Sequence, residues 1–148
     1  MGGRQARLVV CAVAAMMVLG LAVQANEKLS DAYQAAMKDM DAANTALRAD
    51  IKAVEAAGAY PDYIPVQKDA TIIKASLATA LGFWQAKKVD DATAFAKGGA
   101  KGVEDLEGAI KEKSYSQLVT AQMEIAGSCQ GCHMAHRERL PDGTFEIK

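Results

Sequence analysis

The sequence predicts an all-α domain built as an antiparallel four-helix bundle. Apolar residues recur at helical spacing, in alternating four- and three-residue steps from Leu29 to Val54, and no stretch alternates as a strand would. Aromatics make up only 5% of the residues while alanine is abundant, a balance that favours helices packed through small and aliphatic side chains. With 148 residues, 51% hydrophobic and 24% charged, the chain suffices for one domain and is neither disordered nor polyionic. A formal net charge of −1 removes the electrostatic reason to expect nucleic acid.

Residues 1–25 stand apart from this domain. Arg4 and Arg7 precede an uncharged, mostly apolar run from Leu8 to Val23, and Val23-Gln24-Ala25 places small residues where a signal peptidase reads. The pattern predicts a secretory signal cleaved after Ala25. An uncleaved anchor is the alternative, but a run of 16 residues falls short of the ~20 that span a bilayer. Cys11 lies inside the run, lacks the setting of a lipidated cysteine, and leaves with the signal. Without Arg4 and Arg7 the remaining 26–148 carry 15 basic and 18 acidic residues, a net −3. No later segment is apolar enough to span a membrane, so the domain is expected to be soluble and, in a bacterium, periplasmic.

From Leu29 the positions Tyr33, Met37, Met40, Asn44, Leu47, Ile51 and Val54 form one seam, which predicts a first helix reaching Ala57. Ser30 or Asn26 can cap it, and Gly58 with Pro61 ends it. Gly58 to Pro65 reads as a loop. A second helix follows from about Gln67 to Lys87, with Ile73, Leu77, Leu81 and Trp84 on one face. Asp90 or Asp91 can cap a third, whose inner face is Phe95, Gly99, Val103, Leu106 and Ile110. Gly98, Gly99 and Gly102 inside it point to close approach of another backbone or of a flat ligand. Ser114 can cap the fourth helix, which turns Leu118, Gln122, Ile125, Cys129 and Cys132 inward. Leu140 to Lys148 reads as a turn and an extended tail. Short connections between four such helices give an up-down-up-down bundle.

The fourth helix carries Cys129-Gln130-Gly131-Cys132-His133, the attachment pattern of a c-type haem. Two thiols on one helical turn can form thioethers with two vinyl groups of a porphyrin, and the following imidazole can ligate the iron. Gly131 lets the ring lie close to the backbone. Chance assembly of the pattern in this composition is roughly one in a thousand. Three other readings stand beside it: a disulfide or redox pair, though without the βαβ pattern of a thioredoxin; a zinc site using His133 or His136, though without a second cysteine pair; and two buried cysteines with no further role.

With its haem motif near the C-terminus, the bundle resembles the class II cytochromes c, the family of cytochrome c-prime and its low-spin relatives. The resemblance runs through Cys129-Gln130-Gly131-Cys132-His133-Met134-Ala135-His136-Arg137, where the family shows Cys-x-x-Cys-His-x-x-aromatic-Arg; His136 departs from the usual Tyr or Phe. Tyr33-Gln34-Ala35-Ala36-Met37-Lys38-Asp39-Met40 is similar to the family's first-helix stretch, with one gap after Tyr33 and no matching Arg. The tail after Leu140 is foreign to typical members.

That resemblance implies one haem c, attached through Cys129 and Cys132, with His133 as proximal ligand and Arg137 near the haem on the same side. It places Met37 over the opposite face, with Met40 the next candidate. A ligating methionine gives six-coordinate, low-spin iron suited to electron transfer. A methionine that only packs leaves five-coordinate iron, open to NO or CO. His136 is expected to bond near a propionate or ring edge, or to be exposed, and Tyr33, Trp84 and Phe95 are candidates to pack on the porphyrin or simply in the core. The function expected is electron transfer in the periplasm with redox protein partners, as monomer or homodimer. A gas-binding protein, or a haem-free helical interaction protein with a zinc or disulfide site, are the alternatives. No nucleophile–base set or carboxylate pair suggests an enzyme.

Overall fold

A computed structural model describes residues 29–148 and contains four helices, α1 (Asp31–Ala56), α2 (Ile64–Lys87), α3 (Asp90–Glu112) and α4 (Tyr115–His136). The proposed signal segment and Cys11 lie outside the described residues. α1 packs on α2 and α4, and α3 packs on α2 and α4, so the helices form an all-α four-helix bundle. Among the described residues no helix is long and apolar enough to cross a membrane.

Ser30 caps α1, its hydroxyl accepting from the Tyr33 N–H at 3.3 Å. The seam of α1 is buried at Tyr33, Met40, Leu47, Ile51 and Val54 and half-buried at Met37 and Asn44. Ala36 and Ala43 join it, since small side chains let α1 sit close to its neighbours. The core is filled by Leu47, Ile73, Leu106, Leu118 and Ile125, one or two from each helix.

Two helix starts differ from expectation. α2 begins at Ile64 rather than Gln67, because Pro65 falls in its first turn, where a missing N–H costs nothing. At α3 the cap position belongs to Val89; Asp90 and Asp91 lie in the first turn, and Asp91 Oδ1 accepts from the Ala92 N–H at 2.9 Å. Ser114 occupies the cap position of α4 without a side-chain cap bond.

The glycines of α3 meet neighbouring helices closely. A Cβ on Gly102 would stand 2.9 Å from Ile125 Cγ1 and 3.2 Å from the Ile125 nitrogen, and one on Gly99 would meet Leu77 Cδ2 at 3.0 Å. α4 approaches α3 at Gly102, and the Leu77 side chain of α2 fills the space at Gly99.

The tail is not simply extended. Strands β1 (Arg137–Arg139) and β2 (Phe145–Ile147) form an antiparallel hairpin in which Arg137 faces Ile147 and Arg139 faces Phe145. Asp142 Oδ1 accepts from the Thr144 N–H at 2.9 Å, and Gly143 takes φ +86°, which shapes the turn between them. Two three-residue strands are too short for their alternation to be read from sequence.

Candidate functional site

The start of α1, the end of α2, the start of α3 and the end of α4 line an apolar cleft of about 80 Å³ that opens to solvent. Tyr33, Met37 and Met40 line it from α1, Leu77 and Trp84 from α2, Phe95 from α3, and Cys129, Cys132 and His133 from α4.

Helical spacing explains the α4 wall. Cys129 and Cys132 are three residues apart, so they share a face, and His133 follows at its edge. Both cysteines are half-buried free thiols, while much of His133 is exposed. Burial pushes the Cys132 thiol up to about 11, with Cys129 and Asp91 adding to it, and burial also raises Cys129. Both therefore hold their protons at neutral pH in the metal-free chain, unlike the activated thiolates of redox dithiols. The His133 imidazole is held below its ordinary value, first by burial and then by Arg137, against the pull of Asp41. It stays neutral and keeps a lone pair for a metal.

Aromatic rings close the inner end. Tyr33 and Trp84 are buried, and Phe83 lies between them with centroids 4.2 Å from Tyr33 and 5.0 Å from Trp84. Burial first, then Cys132, pushes the Tyr33 phenol up to about 12, with a hydrogen bond to Trp84 opposing. Tyr33 and Trp84 thus serve the core and the cleft at once. Phe95 lies directly against Gly131, where any Cβ would collide with its ring. The space that Gly131 leaves is thus taken by Phe95.

Compared with family models, characterised proteins and solved structures, the chain matches none.

Whether a haem suits this site is decided by the cleft's own chemistry. It offers apolar walls for a flat ring, two protonated thiols three residues apart, an adjacent neutral imidazole, and thioethers from Met37 and Met40 on the α1 wall. That donor set fits. A zinc ion is served less well: among the described residues no three His, Cys, Asp or Glu gather into a metal-holding group.

Two predicted site residues have other partners. His136 turns away from the cleft: its Nε2 lies 3.0 Å from Asp91 Oδ2, and its ring rests on Trp84. Arg137 is the first residue of β1, stacked on Phe145 with its Nη1 3.5 Å from His133 Nδ1. It is near the imidazole but does not line the cleft.

Asp41 and Ser128 line the cleft, and Phe83 lies behind it against Tyr33 and Trp84, without having been expected from the sequence. Phe83 had a signal in its place beside Trp84. Asp41 follows Met40 and reaches the cleft from the polar edge of the α1 seam. Ser128, which donates to the Phe95 carbonyl, joins α4 to α3 beside the first cysteine and left no pattern to read.

Proposed function

We propose that this chain is an exported mono-haem cytochrome of the class II c type, working in electron transfer. The observation that supports it most is the meeting of Cys129, Cys132 and His133 with Met37 and Met40 on one apolar cleft. Cys129 and Cys132 would hold haem c covalently, His133 would be its proximal ligand and Met37 its distal one. The bound haem supplies a one-electron ferric/ferrous couple.

The chain's own residues supply the setting. Tyr33, Leu77 and Trp84 are buried and keep water from the inner wall. His133 offers a neutral imidazole. Met40 belongs to the core cluster, whereas Met37 is half-buried and packed against its edge, so Met37 is the freer thioether to turn toward a metal. Redox proteins, met in the periplasm after signal cleavage, are the partners of this reading. The acidic excess of residues 26–148 would favour a basic docking face. A second copy paired through the outer faces of α1 and α2 is compatible with it.

The test is the spectrum of the matured protein, oxidised and reduced, before and after carbon monoxide. Haem that survives acidified-acetone extraction supports covalent attachment; haem that is lost defeats the proposal. Sharp low-spin bands unmoved by carbon monoxide support electron transfer. Broad bands that shift would make the protein a five-coordinate binder of NO or CO.

A further inference from the structure

The C-terminal hairpin contributes nothing to the core, since none of residues 137–148 is buried. It is nevertheless pinned to the cleft end of α4: the Lys148 N–H donates to the His136 carbonyl at 3.1 Å, closing the two strands over the helix terminus. Across the hairpin, Phe145 pairs with Arg139 and is therefore the diagonal neighbour of Arg137 on the same face. Their side chains meet. The Arg137 guanidinium carbon stands 3.4 Å from the centroid of the Phe145 ring, and its Nη1 lies 3.5 Å from His133 Nδ1.

This arrangement has an unusual sign. An imidazole that binds a metal through Nε2 carries its hydrogen on Nδ1, and that hydrogen ordinarily meets a carbonyl or carboxylate, which makes the ligand more electron-rich. A guanidinium has only donors and a fixed positive charge. Beside Nδ1 it does the reverse: it offers that hydrogen no acceptor, so the ligand stays less electron-rich, and it adds positive charge near the metal. Both effects disfavour the oxidised iron. The opposing charge is Asp41, which faces His133 from α1.

An exposed arginine left to itself would spread over many rotamers and average this field away. The face of Phe145 holds it. Resting on the haem reading above, we propose that Phe145 is a positioning residue: its ring clamps the Arg137 guanidinium against the outer nitrogen of His133, and the hairpin thereby raises the reduction potential of the haem that His133 ligates.

The test compares midpoint potentials of the haem-loaded wild type with Phe145→Leu, Phe145→Tyr and Arg137→Gln. Arg137→Gln is expected to shift the ferric/ferrous equilibrium about tenfold toward ferric, about 59 mV lower for a one-electron couple. Phe145→Leu keeps the bulk but loses the π face, and should shift the same equilibrium several-fold toward ferric. Phe145→Tyr keeps the face and should restore the wild-type potential, which a merely structural role for the side chain would not explain. Equal potentials in wild type and Phe145→Leu, with haem attached, overturn the inference and leave the haem reading intact. A wild type that carries no covalent haem defeats both. The clamp has its own readout in haem-free protein: side-chain protons of Arg137 shifted upfield by the Phe145 ring, and released in Phe145→Leu. Unshifted protons in the wild type would show that the clamp does not exist.

Discussion

His136 Nε2 lies 3.0 Å from Asp91 Oδ2, and this pair ties the last residue of α4 to the first turn of α3. The same imidazole rests on Trp84 near the end of α2, with ring centroids 5.1 Å apart. One side chain thus joins three helices, three residues after His133. The bundle's cleft end is open between helices, so a clasp there sets where the last turn of α4, with Cys132 and His133, comes to rest.

His136→Ala removes the ring contact and the bond to Asp91, and is expected to cost about 1–2 kcal/mol. The His136 side chain is only 14% exposed but that of Asp91 is 62% exposed, so water screens part of the polar term. A double-mutant cycle with Asp91→Ala isolates it, with an expected coupling of about 0.5 kcal/mol. Strictly additive losses would show that the pair is idle and that stacking on Trp84 alone holds the end of α4.

Two glycines of α3 should respond in opposite directions to the same change. Gly102→Ala forces a methyl against Ile125 at 2.9 Å and against the α4 backbone, so the ~1–3 kcal/mol cost of overpacking outweighs the helix propensity gained. Gly108 faces open space, so Gly108→Ala should stabilise by about 0.5–1 kcal/mol. Urea denaturation of both variants reads the difference. A stabilised Gly102→Ala would mean that α3 and α4 stand further apart than this packing requires.

Asp69 gives the bundle a pH dependence of definite sign. It is 5% exposed, its Oδ2 has no partner, and burial first, then Asp50, pushes its carboxyl up to about 6 against a smaller pull from Lys68. The folded chain prefers the protonated acid. This contribution is fully present below the ordinary 3.8 and is lost as pH rises through about 6. Asp69→Asn keeps a donor toward Asp50 without needing the proton. It should flatten the decline and gain about 1 kcal/mol at neutral pH. Urea titrations at a series of pH values check it; an unchanged slope in the variant would assign the decline to other groups.

Much of this was legible because helices declare themselves by period. The α1 seam from Tyr33 to Val54 shows its step pattern directly, and the cysteine pair with its histidine is a local motif whose geometry one helical turn fixes. What escaped was decided between distant segments. Asp91 and His136 are 45 residues apart, and nothing local in either stretch pairs them. The contact of Phe95 with Gly131 depends on how α3 crosses α4, and nothing local in either stretch announces it. The hairpin was missed because each strand is three residues long, below the length at which alternation separates from chance.

Met37 and Met40 line the same cleft, and their burial predicts different consequences for the same substitution. Met40, 7% exposed and part of the core cluster, should behave as packing: Met40→Leu leaves the spectrum of the haem-loaded protein unchanged and costs less than about 1.5 kcal/mol. Met37, half-buried at the edge of that cluster, should behave as a ligand: Met37→Leu removes the thioether, turns sharp low-spin bands broad, and opens the iron to carbon monoxide. Its effect on folding should be small, since the site already meets solvent. Reversal of the two spectra would make Met40 the distal ligand, reached by moving a core side chain. If the wild type is already high-spin and neither change alters it, both methionines are packing and the cleft is built to admit a small gas.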